Sequence, residues 1–146
     1  MSLDPTSPVW PRLKKALSIG CAPISSGSDQ KWICPALDSS TSSLEPRKQV
    51  FILGEDVPLR TAPSKDASVL ARLSCRVLTF DNKAWSRLLG PQLEAFDREE
   101  GWTPVISENG RKGYVETAIA FRPNGYRVVF ERRRDGWYLV MFVAGD

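Results

Sequence analysis

The chain has 146 residues, 20 lysines and arginines against 17 acidic residues, a net charge of +3, and no histidine. That length sets one modest core, with or without appendages, and the 42% apolar and 25% charged fractions are those of an ordinary globular chain. Without histidine the commonest general base and the commonest neutral metal ligand are missing, and Cys21, Cys34 and Cys75 have neither CxxC nor zinc spacing, so no metal site and no cofactor is expected.

The first predicted element is a helix over residues 8–19. Ser7 is a fair N-cap, and Pro8 suits the first helical position. Val9, Trp10, Leu13, Ala16 and Leu17 fall on one face, with Arg12, Lys14 and Lys15 opposite. Such a helix either lies on a membrane surface or packs on a sheet through Trp10 and Leu13, and its shortness favours packing. Gly20 is a natural stop. The apolar stretch ahead of Cys21 is too short for a signal-peptide core of about seven or more residues, and Ser18 is poor in a lipoprotein acceptor pattern. No apolar segment reaches the roughly 18 residues of a membrane span, so no span is expected.

Residues 21–44 read as irregular, with serine-rich tracts at 25–28 and 39–43 flanking a short apolar patch, Trp32, Ile33, Cys34 and Leu37. In an oxidising compartment Cys21 and Cys34 can pair and close a loop, for about 3 kcal/mol. In a reducing one they are two ordinary thiols. Cys75 reads as a small buried residue.

From Gln49 onward the pattern is one of short strands: Val50 to Leu53, an extended piece at Leu59 and Arg60, Val69 to Leu73, Arg76 to Phe80, Trp102 to Ile106 and Lys112 to Val115. Asn109-Gly110 is a strong hairpin signal. Short strands with tight turns imply a small barrel. Residues 81–100 interrupt it, and Trp85, Leu88 and Leu89 predict one short helix ended by Gly90-Pro91, then a packed loop. That insertion either walls a binding groove or caps the barrel. A last hairpin runs from Tyr126 to Val143, turning at Arg134-Asp135-Gly136. Its returning strand is apolar on both faces, so it is covered on both or offers an interface. The one dense basic run, Arg132-Arg133-Arg134, sits at that turn. A nucleic-acid footprint needs a wider stripe with aromatics, so nucleic acid is not expected as a partner.

Val57, Leu59, Arg60 and Pro63, then Val69, Leu70 and Leu73, then Gly101-Trp102 and Val105, then Asn109-Gly110 and Gly113-Tyr114-Val115 stand in a fixed order. Together they resemble the bacterial SH3 (SH3b) family over residues 57–115. Two departures are the loss of the usual glycine near Ser74-Cys75 and the length of the 81–100 insertion. The resemblance implies a mainly β, SH3-like small barrel over residues 49–120, here with an N-terminal helix and irregular extension over 1–48. An extra C-terminal β-hairpin over 121–146 is expected to pack on the barrel. It also implies an envelope-type module that docks cell-wall peptide or a protein partner in the periplasm or elsewhere outside the cytoplasm. The start Met1-Ser2-Leu3 is compatible with a leader removed ahead of it. Gly101, Gly110 and Gly113 are expected to serve turns, and Arg60 to satisfy a turn carbonyl or an acid such as Asp56 or Asp66.

No catalytic residue is expected. Asp97, Glu99, Glu100, Glu108 and Glu116 form no recognisable acid–base pair, and Cys75 has no histidine to activate it. The candidate ligand contacts are Arg60, Trp85, Arg87 and Phe96, in a groove between the insertion and the barrel. The alternative is an assembly domain that uses the terminal hairpin as a protein–protein or homodimer interface.

Overall fold

The computed structural model of the chain describes residues 4–24, 30–36, 48–122 and 125–144. The fold is mainly β, with an N-terminal helix and two antiparallel sheets. The chain divides into two compact units, residues 1–42 with 124–146 and residues 43–123. The two serine-rich tracts lie outside the described residues.

In the first unit, helix α1 spans Val9–Ser18. Its N-cap is Pro8 rather than Ser7, although the Ser7 hydroxyl still accepts from the Val9 N–H at 3.4 Å. Gly20 closes it with a bond from its N–H to the Leu17 carbonyl at 3.1 Å. Ala16 is buried and Leu13 packs beside it. Trp10, expected as an anchor, is exposed, and its Nε1 donates to the Asp4 carbonyl at 2.9 Å. Arg12, expected to face solvent, donates to the Tyr126 hydroxyl at 2.7 Å. Ala16 and Leu13 thus supply apolar contacts of the helix, and Arg12 adds the bond to Tyr126 and lies 4.6 Å from its ring centroid.

Strands β1 (Ala22–Pro23) and β2 (Lys31–Cys34) precede the first sheet's long hairpin, β10 (Tyr126–Arg133) and β11 (Gly136–Ala144). The apolar patch read as irregular is thus a strand: β2 pairs with β10 from Val128↔Cys34 to Glu131↔Lys31. The order is β1-β2-β10-β11, so β11 is an edge. A disulfide joins Cys21 to Cys34, tying the segment after α1 to β2. A shift at Val129/Phe130 leaves Val140 without a residue opposite, a bulge that twists the hairpin.

The second unit holds β3 (Gln49–Ile52), β4 (Val57–Arg60), β5 (Val69–Leu73), β6 (Val77–Phe80), β7 (Trp102–Ile106), β8 (Lys112–Glu116) and β9 (Ala120–Phe121). They form one antiparallel sheet in the order β5-β4-β8-β7-β6-β3-β9. The sheet does not close into a barrel. The free side of β3 is taken by β9, through Phe51↔Phe121 and Ile52↔Ala120, and β5 stays an edge. Inward positions alternate as a half-buried strand requires, and Val50, Ile52, Val57, Leu59, Leu78, Phe80 and Val115 meet in one core with Val105.

Two glycines have separate jobs. Gly110 turns the β7–β8 hairpin with φ of 80°. Gly113 serves no turn. It lies inside β8, and a Cβ there would stand 2.7 Å from the Arg60 carbonyl oxygen and 2.8 Å from Leu59. Only glycine lets β4 and β8 approach that closely. Cys75, read as buried, is exposed on a turn with φ of 43°.

Candidate functional site: a cationic cleft at a split in the sheet

Strands β4 and β8 pair at Arg60↔Tyr114. Past that point β4 turns away, because the Thr61 N–H bonds to the Ser68 carbonyl at 3.0 Å to close the β4–β5 hairpin. The split leaves a cleft of about 280 Å³, lined by Thr61, Asp81, Lys83, Ala84, Arg87, Lys112, Gly113 and Tyr114.

Asp81 fixes the far wall. Its N–H bonds to the Pro104 carbonyl at 3.1 Å, which ties it to β7. Its Oδ1 accepts from the N–H groups of Lys83 and Ala84 at 3.1 and 3.0 Å and so caps helix α2 (Asn82–Trp85). The insertion then holds a second helix, α3 (Gly90–Asp97), where one helix and a loop were expected. The first helix ends at Trp85 with Ser86 as its C-cap, so Leu88 and Leu89 lie beyond it and Gly90-Pro91 does not end it. Gly90-Pro91 instead starts the next helix, because proline is tolerated in a helix's first turn, where its missing N–H costs nothing. The Gln92 side chain accepts from the Leu89 N–H at 2.9 Å and completes that start.

Of the four residues proposed from sequence as ligand contacts, Arg87 lines the cleft. Arg60 is directed elsewhere: it donates to the Ala67 carbonyl at 2.8 Å and braces the β4–β5 turn. Trp85 and Phe96 meet edge to face with centroids 4.4 Å apart, and Trp85 also lies 5.6 Å from Phe80. Arg122 lies over the other ring of this column, 3.9 Å from the Phe80 centroid, and burial pulls its pKa below the ordinary guanidinium value. The two aromatic residues therefore hold the insertion on the core.

Lys83 and Lys112 were not among the sequence candidates. In sequence each looks like any surface lysine. The capping signature at Asp81, an acid just ahead of a short helical stretch, was the one readable clue to the wall. The lining carries three cations against one carboxylate, a net charge of +2. No described cluster of histidine, cysteine and acidic residues could hold a metal ion, and no described helix is long and apolar enough to cross a membrane. Two other hollows differ in kind. One, beside β5, contains the Arg76–Glu108 ion pair at 3.7 Å. The other, in the first unit, is an apolar dent formed by Cys21, Trp32, Phe130 and Trp137.

No family model matches the chain, and neither a curated protein nor a solved structure is similar enough to it to count as a match.

Proposed function

We propose that the chain is a non-catalytic binding module of the SH3-like envelope type, and that it docks cell-wall peptide or an envelope protein partner in the cleft beside the insertion. The observation that carries this reading is the cleft itself: a polar, cationic recess at a split between two strands, walled on one side by the capped helix α2. Recesses with a few converging polar groups on a rigid frame are where peptides and small ligands bind. The resemblance of residues 57–115 to the SH3b family supports the envelope setting and the extracytoplasmic location. The Cys21–Cys34 disulfide agrees with an oxidising compartment.

The test is retention of the purified chain on insoluble peptidoglycan. Thr61→Trp is the informative variant, because Thr61 is exposed at the cleft and an indole there fills it. Trp85→Ala is a poor control, since it removes the ring that seats the insertion. Retention that is lost in Thr61→Trp supports the reading. Equal retention of both proteins moves the site out of the cleft, and no retention of either removes cell-wall peptide as the ligand.

A second reading has its own observation. Edge strand β11 exposes Trp137, Leu139, Val140, Met141 and Val143, and an unprotected apolar edge invites pairing with a second copy. The assembly reading predicts a dimer in sedimentation. A monomer at every concentration would remove it.

A further inference from the structure

We propose that the cleft selects a carboxylate, presented by the end or side chain of a short acidic peptide. This inference rests on the reading that the cleft is the docking site, and it names the chemistry recognised there.

The first argument is that the cleft's cations are unspent. Elsewhere in the same unit three exposed arginines are ion-paired, Arg72 with Asp56 at 3.2 Å, Arg76 with Glu108 at 3.7 Å, and Arg98 with Glu100 at 3.4 Å, and Arg111 donates to the Leu70 carbonyl at 3.2 Å. Lys83, Arg87 and Lys112 make no ion pair among the described residues. They come from α2, from the segment just after it, and from β8, yet they line one recess. Like charges that outnumber the one buried carboxylate beside them repel one another, and an anion between them lowers that cost.

The second argument concerns Asp81, the one acid in the lining. It does not serve as the missing counter-ion. Its side chain is buried, and its Oδ1 is committed to two backbone N–H groups.

The third argument separates carboxylate from phosphate. Phosphate sites typically offer several free backbone N–H groups at a helix start. Here the N–H groups of Lys83 and Ala84 are taken by Asp81. What remains is a guanidinium, two ammonium groups and the hydroxyls of Thr61 and Tyr114. The planar guanidinium fork fits a carboxylate's two oxygens as it would a phosphate's, and the lysines add point charges, so the distinction rests on the missing N–H cradle. A volume of about 280 Å³ admits the end of a peptide and not a folded surface.

The test is an amide-shift titration of the full chain with three probes: N-acetyl-Ala-Ala with a free C-terminal carboxylate, the same dipeptide amidated, and inorganic phosphate. The free acid is expected to shift Thr61, Ala84 and Gly113 and to bind about tenfold tighter than the amide, the scale of a few partly exposed charge pairs. The triple variant Lys83→Gln, Arg87→Gln, Lys112→Gln is expected to lose that preference while the core amides of Val50 and Val105 stay in place. Equal affinity for acid and amide, shifts confined to other residues, or phosphate binding as tightly as the acid would each overturn the proposal. The peptidoglycan assay separates the two failures. Retention without acid preference removes the carboxylate site and keeps the binding module. Acid preference without retention keeps the site and removes the wall-peptide reading.

Discussion

The unit of residues 43–123 gathers ten buried hydrophobic residues into one core, from Val50 on β3 to Ala120 on β9. The unit of residues 1–42 with 124–146 gathers Ala16, Cys34 and Val128. The first draws its inward side chains from every strand of a seven-stranded sheet, while the second has four strands, one helix and a disulfide. Apolar burial contributes roughly in proportion to area, and among the described residues the small unit's cluster, these three with Leu13, Cys21, Phe130 and Phe142 partly buried around them, removes less area from water. The difference explains where the covalent link falls. Cys34 is both a core residue of the small unit and one end of its disulfide. The cross-link takes over part of what a larger core would do, by limiting the unfolded chain. The cationic cleft lies in the unit with the larger core.

The strongest way to break this comparison is to damage the larger core. Leu59 is fully buried on β4 beneath the Arg60–Tyr114 junction. Leu59→Ala removes the buried side chain and leaves a cavity, at a cost of about 4 kcal/mol. Chemical unfolding should show that loss. A cost under about 1 kcal/mol would mean that the core around Leu59 is loose enough to collapse, and the contrast between the units would weaken.

Reduction of the disulfide comes next. It is expected to cost the small unit about 3 kcal/mol, seen as roughly hundredfold faster hydrogen exchange at Val128 and Val129 on β10. Val50 and Val105 should keep their protection. Thiol titration gives the starting state, one reactive thiol before reduction, Cys75, and three after. Loss of protection spread evenly over both units would show that the disulfide stabilises the whole chain and not the small unit.

Much of the strand pattern was readable from sequence because it depends on local signals. Asn109-Gly110 turns where expected, with the positive φ that the pair predicts. Gly113 was read as a turn residue because sequence shows only that a side chain is missing. The close approach of β4 is a tertiary fact. β2 was missed for a related reason: a four-residue strand has weak local character, and its partner β10 lies far along the chain. Barrel closure was expected from strand number and spacing, but whether edges meet depends on which strand takes the side of β3, and two residues at Ala120 and Phe121 decide that. The cleft was the least legible feature. Lys83 and Lys112 lie far apart in sequence, and they share a recess only because β4 leaves β8 after Arg60.

The smallest expected effect tests how the small unit's sheet is trimmed at its surface. Glu131 on β10 accepts a hydrogen bond from Arg133 Nε at 3.1 Å and faces Lys31 of β2 across the ladder at 3.6 Å. The bond from Arg133, helped by the charges of Arg133 and Lys31, holds the Glu131 pKa below the ordinary glutamate value. A folded pKa below the unfolded one gives a contribution that is complete above the unfolded pKa. That contribution disappears as pH falls through the folded pKa. Glu131→Gln should therefore be slightly less stable than the native chain at neutral pH and equal to it in acid below the glutamate range. The group is at the surface, so the effect is small and falls further as salt is added. Unfolding curves of both proteins at the two pH values provide the measurement. A difference that persists in acid would mean that Glu131 acts through packing or strand propensity, and the Lys31–Glu131–Arg133 charges would then have no part in holding β2 on β10.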